Sequence, residues 1–245
     1  LIGEANPREP LARWLFHVRI KTVGVHVIEQ AREVVAAALK RDVENLPASV
    51  AALPIDPDAE RWCDQWMTEH GMGQKERFVL MNPGAGWGAK RWPAERYAAV
   101  AANLAQMGYS TIINAGPGES QLAETVHANA GARAFVMTGT IGQLIACTRR
   151  ASLFIGGDTG PLHLAAALQV PVLGIYGPTD PARNGPYGTR ARVLRHPASQ
   201  RDHSRRNEPE AGLLTITVDN VLEESRQLLQ ENVKAQEQQE ASGPE

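Results

Sequence analysis

Cysteine is scarce in this sequence: only Cys63 and Cys147 occur among 245 residues. They form no C-x-x-C and have no metal-ligand spacing, which excludes a disulfide framework and leaves a reduced cytosolic protein as the simplest reading. Long apolar runs are missing too. No stretch approaches the ~18 residues of a membrane span. Charge of one sign is not in excess, since the net charge is −2, so no basic field argues for nucleic acid. No signal peptide pattern is visible. The first residue is Leu1, and the expectation drawn from it is a chain that starts inside a longer gene product or was processed.

What is there is ordinary globular composition, 43% hydrophobic and 21% charged. Residues 1 to about 50 read as helical, most clearly 22–40, where Val23, Val27, Ile28, Ala31, Val34, Val35 and Ala38 fall on one face. Residues 53–57 then read as a connector and 58–70 as a short helix closed by Gly71. From Phe78 onward short apolar runs alternate with amphipathic stretches. Strands are expected near 78–81, 111–113, 135–137, 153–155, 172–176 and 192–194, with helices at 93–107, 119–129, 140–150 and 161–168. Continuously apolar strands alternating with helices predict a parallel sheet covered on both faces, a doubly wound α/β unit of Rossmann-like type. Ligands in such sheets sit at the carboxyl ends of the strands. The tail from Asn232 reads as a frayed helix end or a disordered segment.

Two segments could carry chemistry. Gly156-Gly157-Asp158-Thr159-Gly160-Pro161-Leu162-His163 joins a strand to a helix. Asp158 or Thr159 suits the cap and Pro161 the first turn, so backbone N–H groups and the positive dipole end would face a phosphate. Gly160 lets an oxygen approach the backbone. His163 could donate to a phosphate or sugar oxygen, or serve structure alone. The plain alternative is a capped helix with small packing residues. The second segment, 82–93, places three glycines in five positions and then Lys90 and Arg91 just before a helix start. A cation there opposes the helix dipole, so either an anion sits nearby or the loop is simply solvated. Glu119, after Gly116-Pro117-Gly118, could accept from ribose hydroxyls or compensate the dipole of its own helix. The turns Pro178-Thr179-Asp180-Pro181 and Gly185-Pro186-Tyr187-Gly188 read as structural. The G-x-G-x-x-G spacing of a dinucleotide fingerprint fails, which makes a nicotinamide dehydrogenase the least favoured class.

These residues resemble glycosyltransferase family 9, the heptosyltransferases of lipopolysaccharide core assembly. The resemblance rests on Asn82-Pro83-Gly84, Lys90-Arg91-Trp92-Pro93, Gly157-Asp158-Thr159-Gly160-Pro161-Leu162-His163-Leu164, and Tyr176-Gly177-Pro178-Thr179-Asp180-Pro181 with Gly185-Pro186-Tyr187-Gly188, within residues 78–190. It implies a GT-B architecture and inverting transfer of a heptose-type sugar from an ADP-sugar, ADP-heptose, to a lipid-linked oligosaccharide acceptor. It further implies that Lys90 contacts the donor diphosphate, Asp158 the sugar hydroxyls and Glu119 the ribose. Thr159, Gly160, Pro161 and Leu162 would hold the phosphates, with His163 close by. No cofactor or metal is implied. Residues 73–220 would be the donor-binding domain and 221–245 a C-terminal helix with a disordered tail. Residues 1–72 would be the remnant of an N-terminal acceptor domain and linker, so the catalytic base is expected upstream and is not assigned. A cytoplasmic protein in peripheral contact with the inner membrane follows from the resemblance. A sugar-nucleotide epimerase of GT-B shape and a non-catalytic nucleotide-sugar-binding module are the competing readings.

Overall fold

The structure, a computed structural model, describes residues 1–7, 9–47, 53–73, 75–202 and 206–242. Arg8, within the expected N-terminal remnant, and residues 243–245 of the expected tail lie outside it. The N-terminal segment departs from the all-helical expectation. Two short parallel strands, β1 (Ile2–Glu4) and β2 (Val18–Ile20), pair with each other before helix α1 (Val27–Leu39) begins. The helix does not reach back to residue 22 as its apolar spacing predicts, because Val23 and Val25 are exposed and belong to the approach to α1. His26 starts that helix with a capping box: its side chain accepts from the Ile28 N–H, and Glu29 accepts from the His26 N–H.

Helix α2 (Pro57–Glu69), capped by Asp56, leads into the main sheet. The remaining strands are β3 (Phe78–Asn82), β4 (Ser110–Asn114), β5 (Ala134–Met137), β6 (Leu153–Gly157), β7 (Val172–Tyr176) and β8 (Ala191–Arg195). Between and after them run α3 (Ala94–Gln106), α4 (Ser120–Ala130), α5 (Ile141–Arg150), α6 (Gly160–Ala167), α7 (Pro181–Asn184), α8 (Ala211–Thr215) and α9 (Val218–Ser242). Thr140 caps α5 through a full capping box. Helix α9 continues through Asn232 to Ser242, so helix stands where a frayed or disordered tail is expected to begin.

All pairings among the six strands are parallel, in the order β5-β4-β3-β6-β7-β8. Side chains alternate between two apolar layers. Val79, Met81, Ile113, Ile155 and Leu173 pack with α3, α4 and α9, while Phe78, Leu80, Ile112, Phe154 and Tyr176 pack with α2, α5 and α6. Strands buried on both faces need helices on both faces, and the doubly wound Rossmann-like fold supplies them. The chain winds outward through β4 and β5 from β3, and through β7 and β8 from β6. The direction therefore reverses between β3 and β6, and a crevice opens at their carboxyl ends.

Candidate functional site

The loop after β3 and the loop after β6 meet in that crevice. Met81 pairs with Ile155 and Asn82 with Gly156, so both strands end at the same level. Asn82, buried, donates to the Gly84 carbonyl at 2.9 Å and accepts from Asn114 at 2.6 Å, which fixes how the first loop leaves the sheet. The loop is clamped from above by the segment before α8, through Ala89 N–H to the Arg206 carbonyl and Glu210 N–H to the Ala89 carbonyl. Its short 3₁₀ turn, Gly88–Lys90, delivers Lys90.

Lys90 reaches across to Asp158. Its Nζ donates to the Asp158 carboxylate at 2.6 Å and to the Asp158 carbonyl at 3.2 Å, and stands 4.6 Å from the centre of the Trp87 ring. His163 Nε2, from the first turn of α6, donates to the other carboxylate oxygen at 3.0 Å. Burial of Asp158 works to raise its pKa. The hydrogen bonds from His163 and Lys90, and the charge of Lys90, prevail and hold it at about 2. The result is a partly buried carboxylate that stays ionised between a lysine and a histidine.

Asp158 and Thr159 are the caps of α6 that the sequence predicts. Neither side chain performs that role: Asp158 faces Lys90 and His163, and Thr159, at the cap position, turns its hydroxyl to the Gly157 carbonyl. The N-terminus of α6 is thus uncapped by any side chain among the described residues, and nothing stands within 4 Å of where a Cβ on Gly160 would project. Leu162 is fully buried in the core beneath, so only its backbone is placed to meet a ligand. Arg91 turns back to the Ala85 carbonyl at 3.0 Å, a structural role.

Lys90, Asp158 and His163 line a cleft of about 450 Å³, together with Trp87, Thr179, Asn184 and the start of α1 at His26, Val27 and Ile28. Its volume suits a small-molecule ligand. Thr179 reads in the sequence only as part of a turn. It is buried, and its hydroxyl lies near enough to Asp158 to help keep it ionised while closing no proper hydrogen bond among the described residues. Position in a Pro-Thr-Asp-Pro run gives no signal of this, because the contact depends on β6 and β7 being neighbours. Glu119 is not in the cleft wall. It stands at the start of α4, beyond the end of β4, where its carboxylate accepts from the Gly116 N–H at 3.1 Å and packs against Gly84 of the Lys90 loop. Among the described residues no group of three or more His, Cys, Asp or Glu is placed to hold a metal ion, and no helix is long and apolar enough to cross a membrane.

A doubly wound α/β unit with an uncapped helix N-terminus, a lysine and an ionised carboxylate at its switch point has the features with which such folds can hold a phosphorylated ligand. The profile of glycosyltransferase family 9 (heptosyltransferase) matches residues 4–213, and the chain belongs to that family. It is 33% identical over 114 residues to lipopolysaccharide heptosyltransferase 3 of Escherichia coli K12, a match covering 44% of this chain and 33% of that protein. Among solved structures it is similar to a family 9 glycosyltransferase of Veillonella parvula, at 26% identity and TM-score 0.75, covering 90% of this chain and 65% of that one. An E. coli heptosyltransferase solved with ADP shares the fold at 22% identity and TM-score 0.67, over 94% of this chain and 65% of that one. The architecture is that of GT-B heptosyltransferases. The chain spans about a third to three-fifths of the length of the curated relatives it matches.

Proposed function

We propose that the cleft receives the diphosphate and sugar of an ADP-sugar donor, and that the chain serves a heptosyltransferase reaction of lipopolysaccharide core assembly. The observation that carries this reading is the Lys90–Asp158–His163 cluster beside the uncapped N-terminus of α6. Departure of a nucleoside diphosphate builds negative charge on its phosphate oxygens. Preorganised cations and backbone amides stabilise such charge without reorganising. In this reading the Lys90 ammonium and the α6 amides at Thr159, Gly160 and Leu162 take the diphosphate, and Pro161 sets the start of the helix. Asp158, ionised and half-occupied by its partners, accepts from sugar hydroxyls, with His163 beside it. Glu119 accepts from the ribose, one strand away.

The relatives' names supply the heptose and the lipopolysaccharide, and the E. coli structure solved with ADP supplies the nucleotide. Inversion at the anomeric carbon, a lipid-linked oligosaccharide acceptor and peripheral contact with the inner membrane complete the proposal. Residues 73–220 hold the donor, and the segment 1–72 contributes the opposite wall through His26, Val27 and Ile28. Calorimetry tests the core of it. ADP is expected to bind at least about tenfold more tightly than adenosine, an advantage of about 1.4 kcal/mol for one charge-assisted contact, and to do so equally in the presence of a chelator. Equal affinities for the two ligands would remove the diphosphate role from this cleft.

A further inference from the structure

Cys63 and Cys147 are separated by 84 positions in sequence, yet the fold brings their sulfurs to 2.9 Å in the core between α2 and α5. Both side chains are fully buried. Around them Ala59, Met67 and Leu144 pack the two helices together, and Arg150 of α5 pairs with Glu60 and Asp64 of α2. A disulfide needs about 2.05 Å between sulfurs, so less than about 1 Å of further approach closes the bond. The chain holds no third cysteine to compete.

We propose that Cys63 and Cys147 form a modification site of their own, a dithiol that a hydroperoxide oxidises to a disulfide stapling α2 to α5. The two sulfurs are not equivalent. The hydrogen bond between the two sulfurs, in which either can donate, lowers the Cys63 pKa against its burial, with the nearby Arg150 charge helping. The same hydrogen bond and burial push the Cys147 thiol up. Cys63 is therefore the attacking sulfur and Cys147 the resolving one. The Cys63 thiolate attacks one peroxide oxygen, the O–O bond breaks, and the departing oxygen leaves as water (or alcohol) with the thiol's proton. Cys63 is then a sulfenic acid. The Cys147 sulfur attacks it, the S–O bond breaks, and hydroxide leaves as water with the Cys147 proton. Two thiols have lost two electrons and two protons, and the peroxide has been reduced.

The staple ties the helix that precedes β3 to the helix that precedes β6. It rests on nothing in the donor-site reading. Full burial makes the reaction wait on a small opening of α2, so it is slow but directed. The test uses the whole chain, folded, treated with hydrogen peroxide. The expected product is monomeric, lighter by two hydrogens, and yields a linked Cys63–Cys147 peptide that a thiol reductant dissolves. Its thermal midpoint is expected to rise by roughly 5–15 °C, as for closure of a loop of this length in a chain of this size. Cys147→Ser protein is expected to accumulate a dimedone-reactive sulfenic acid at Cys63, and Cys63→Ser protein to accumulate none at Cys147. Wild-type protein that goes to sulfinic or sulfonic acid without the linked peptide, or that cross-links only between molecules, overturns the proposal, whether or not either serine variant folds. Dimedone labelling confined to Cys147 overturns the assignment of roles.

Discussion

Asp158 concentrates what single residues do in this fold. Its folded pKa, about 2, lies below the unfolded value near 3.9, so its stabilisation is complete above that value and is lost as pH falls from about 4 towards 2. The difference corresponds to about 2–3 kcal/mol at neutral pH. Asp158→Asn keeps the shape but leaves the Lys90 ammonium, only 14% exposed, against a neutral amide. The expected cost is about 2 kcal/mol, a fall of roughly 4–8 °C in the thermal midpoint, with the wild-type loss between pH 4 and 2 absent from the variant. Lys90→Met combined with Asp158→Asn should cost less than the two singles summed, since neither then strands a charge. Additive effects measured by thermal melts would show that the pair is not coupled. On the binding side, Lys90→Met should weaken ADP by about 1–3 kcal/mol and adenosine by less. Lys90, Asp158 and His163 are legible in the sequence because each sits within a few residues of a strand end or helix start. Their mutual pairing is not, because 68 residues separate Lys90 from Asp158. That pairing also gives the misplaced-looking lysine a partner inside the protein, so its position before a helix does not require a bound anion.

Elements are easiest to read where the sheet is deepest. β3, β4, β6 and β7 are buried at every residue, and a short, mostly apolar run between turn signals fits little besides a strand covered on both faces. β1 and β2 hold three residues each, half-exposed, and three residues are too few for a period of two to stand out beside the helical spacing of α1. The loop that carries Lys90 shows how an element can be set by a contact invisible in its own sequence. A Cβ on Gly88 would collide with the backbone of Asn207, in the segment that clamps this loop from above. Backbone cannot swing aside as a side chain does. Gly88→Ala is therefore expected to cost about 1–3 kcal/mol, the range for overpacking, and to move Lys90 away from Asp158. ADP affinity should fall with stability. Gly86→Ala meets nothing within 4 Å and serves as the control. A Gly88→Ala protein with wild-type melting and wild-type ADP affinity would mean that the clamp gives way at no cost and does not place the lysine.

At the scale of the whole molecule the question is how residues 1–47 are held to the sheet, because their helix α1 supplies one wall of the cleft. His26 is the joint. Its Nδ1 accepts from the Ile28 N–H, so its proton is on Nε2, which donates at 3.0 Å to the Gly185 carbonyl just beyond α7. Its ring lies 4.7 Å from that of Tyr187, and Arg183 reaches Gln30 of α1 from the same side. Gly185 and Tyr187 read as turn residues, but Gly185 presents a docking point to a helix 159 positions earlier, which no local pattern announces. Capping and docking are separable here because they use different ring nitrogens. His26→Ala removes both. It should cost about 1 kcal/mol of cap alone and raise amide hydrogen exchange throughout α1, while β3, β4, β6 and β7 stay protected. His26→Asn returns a capping oxygen and should restore protection to α1, but its shorter side chain cannot reach Gly185, so the wall of the cleft stays loose. ADP binding should then remain weakened in both variants, with α1 protected in one and open in the other. Exchange that rises equally in α1 and in the central strands would make His26 part of one cooperative core, and the cleft would be a property of a single unit and not of two segments joined at a histidine.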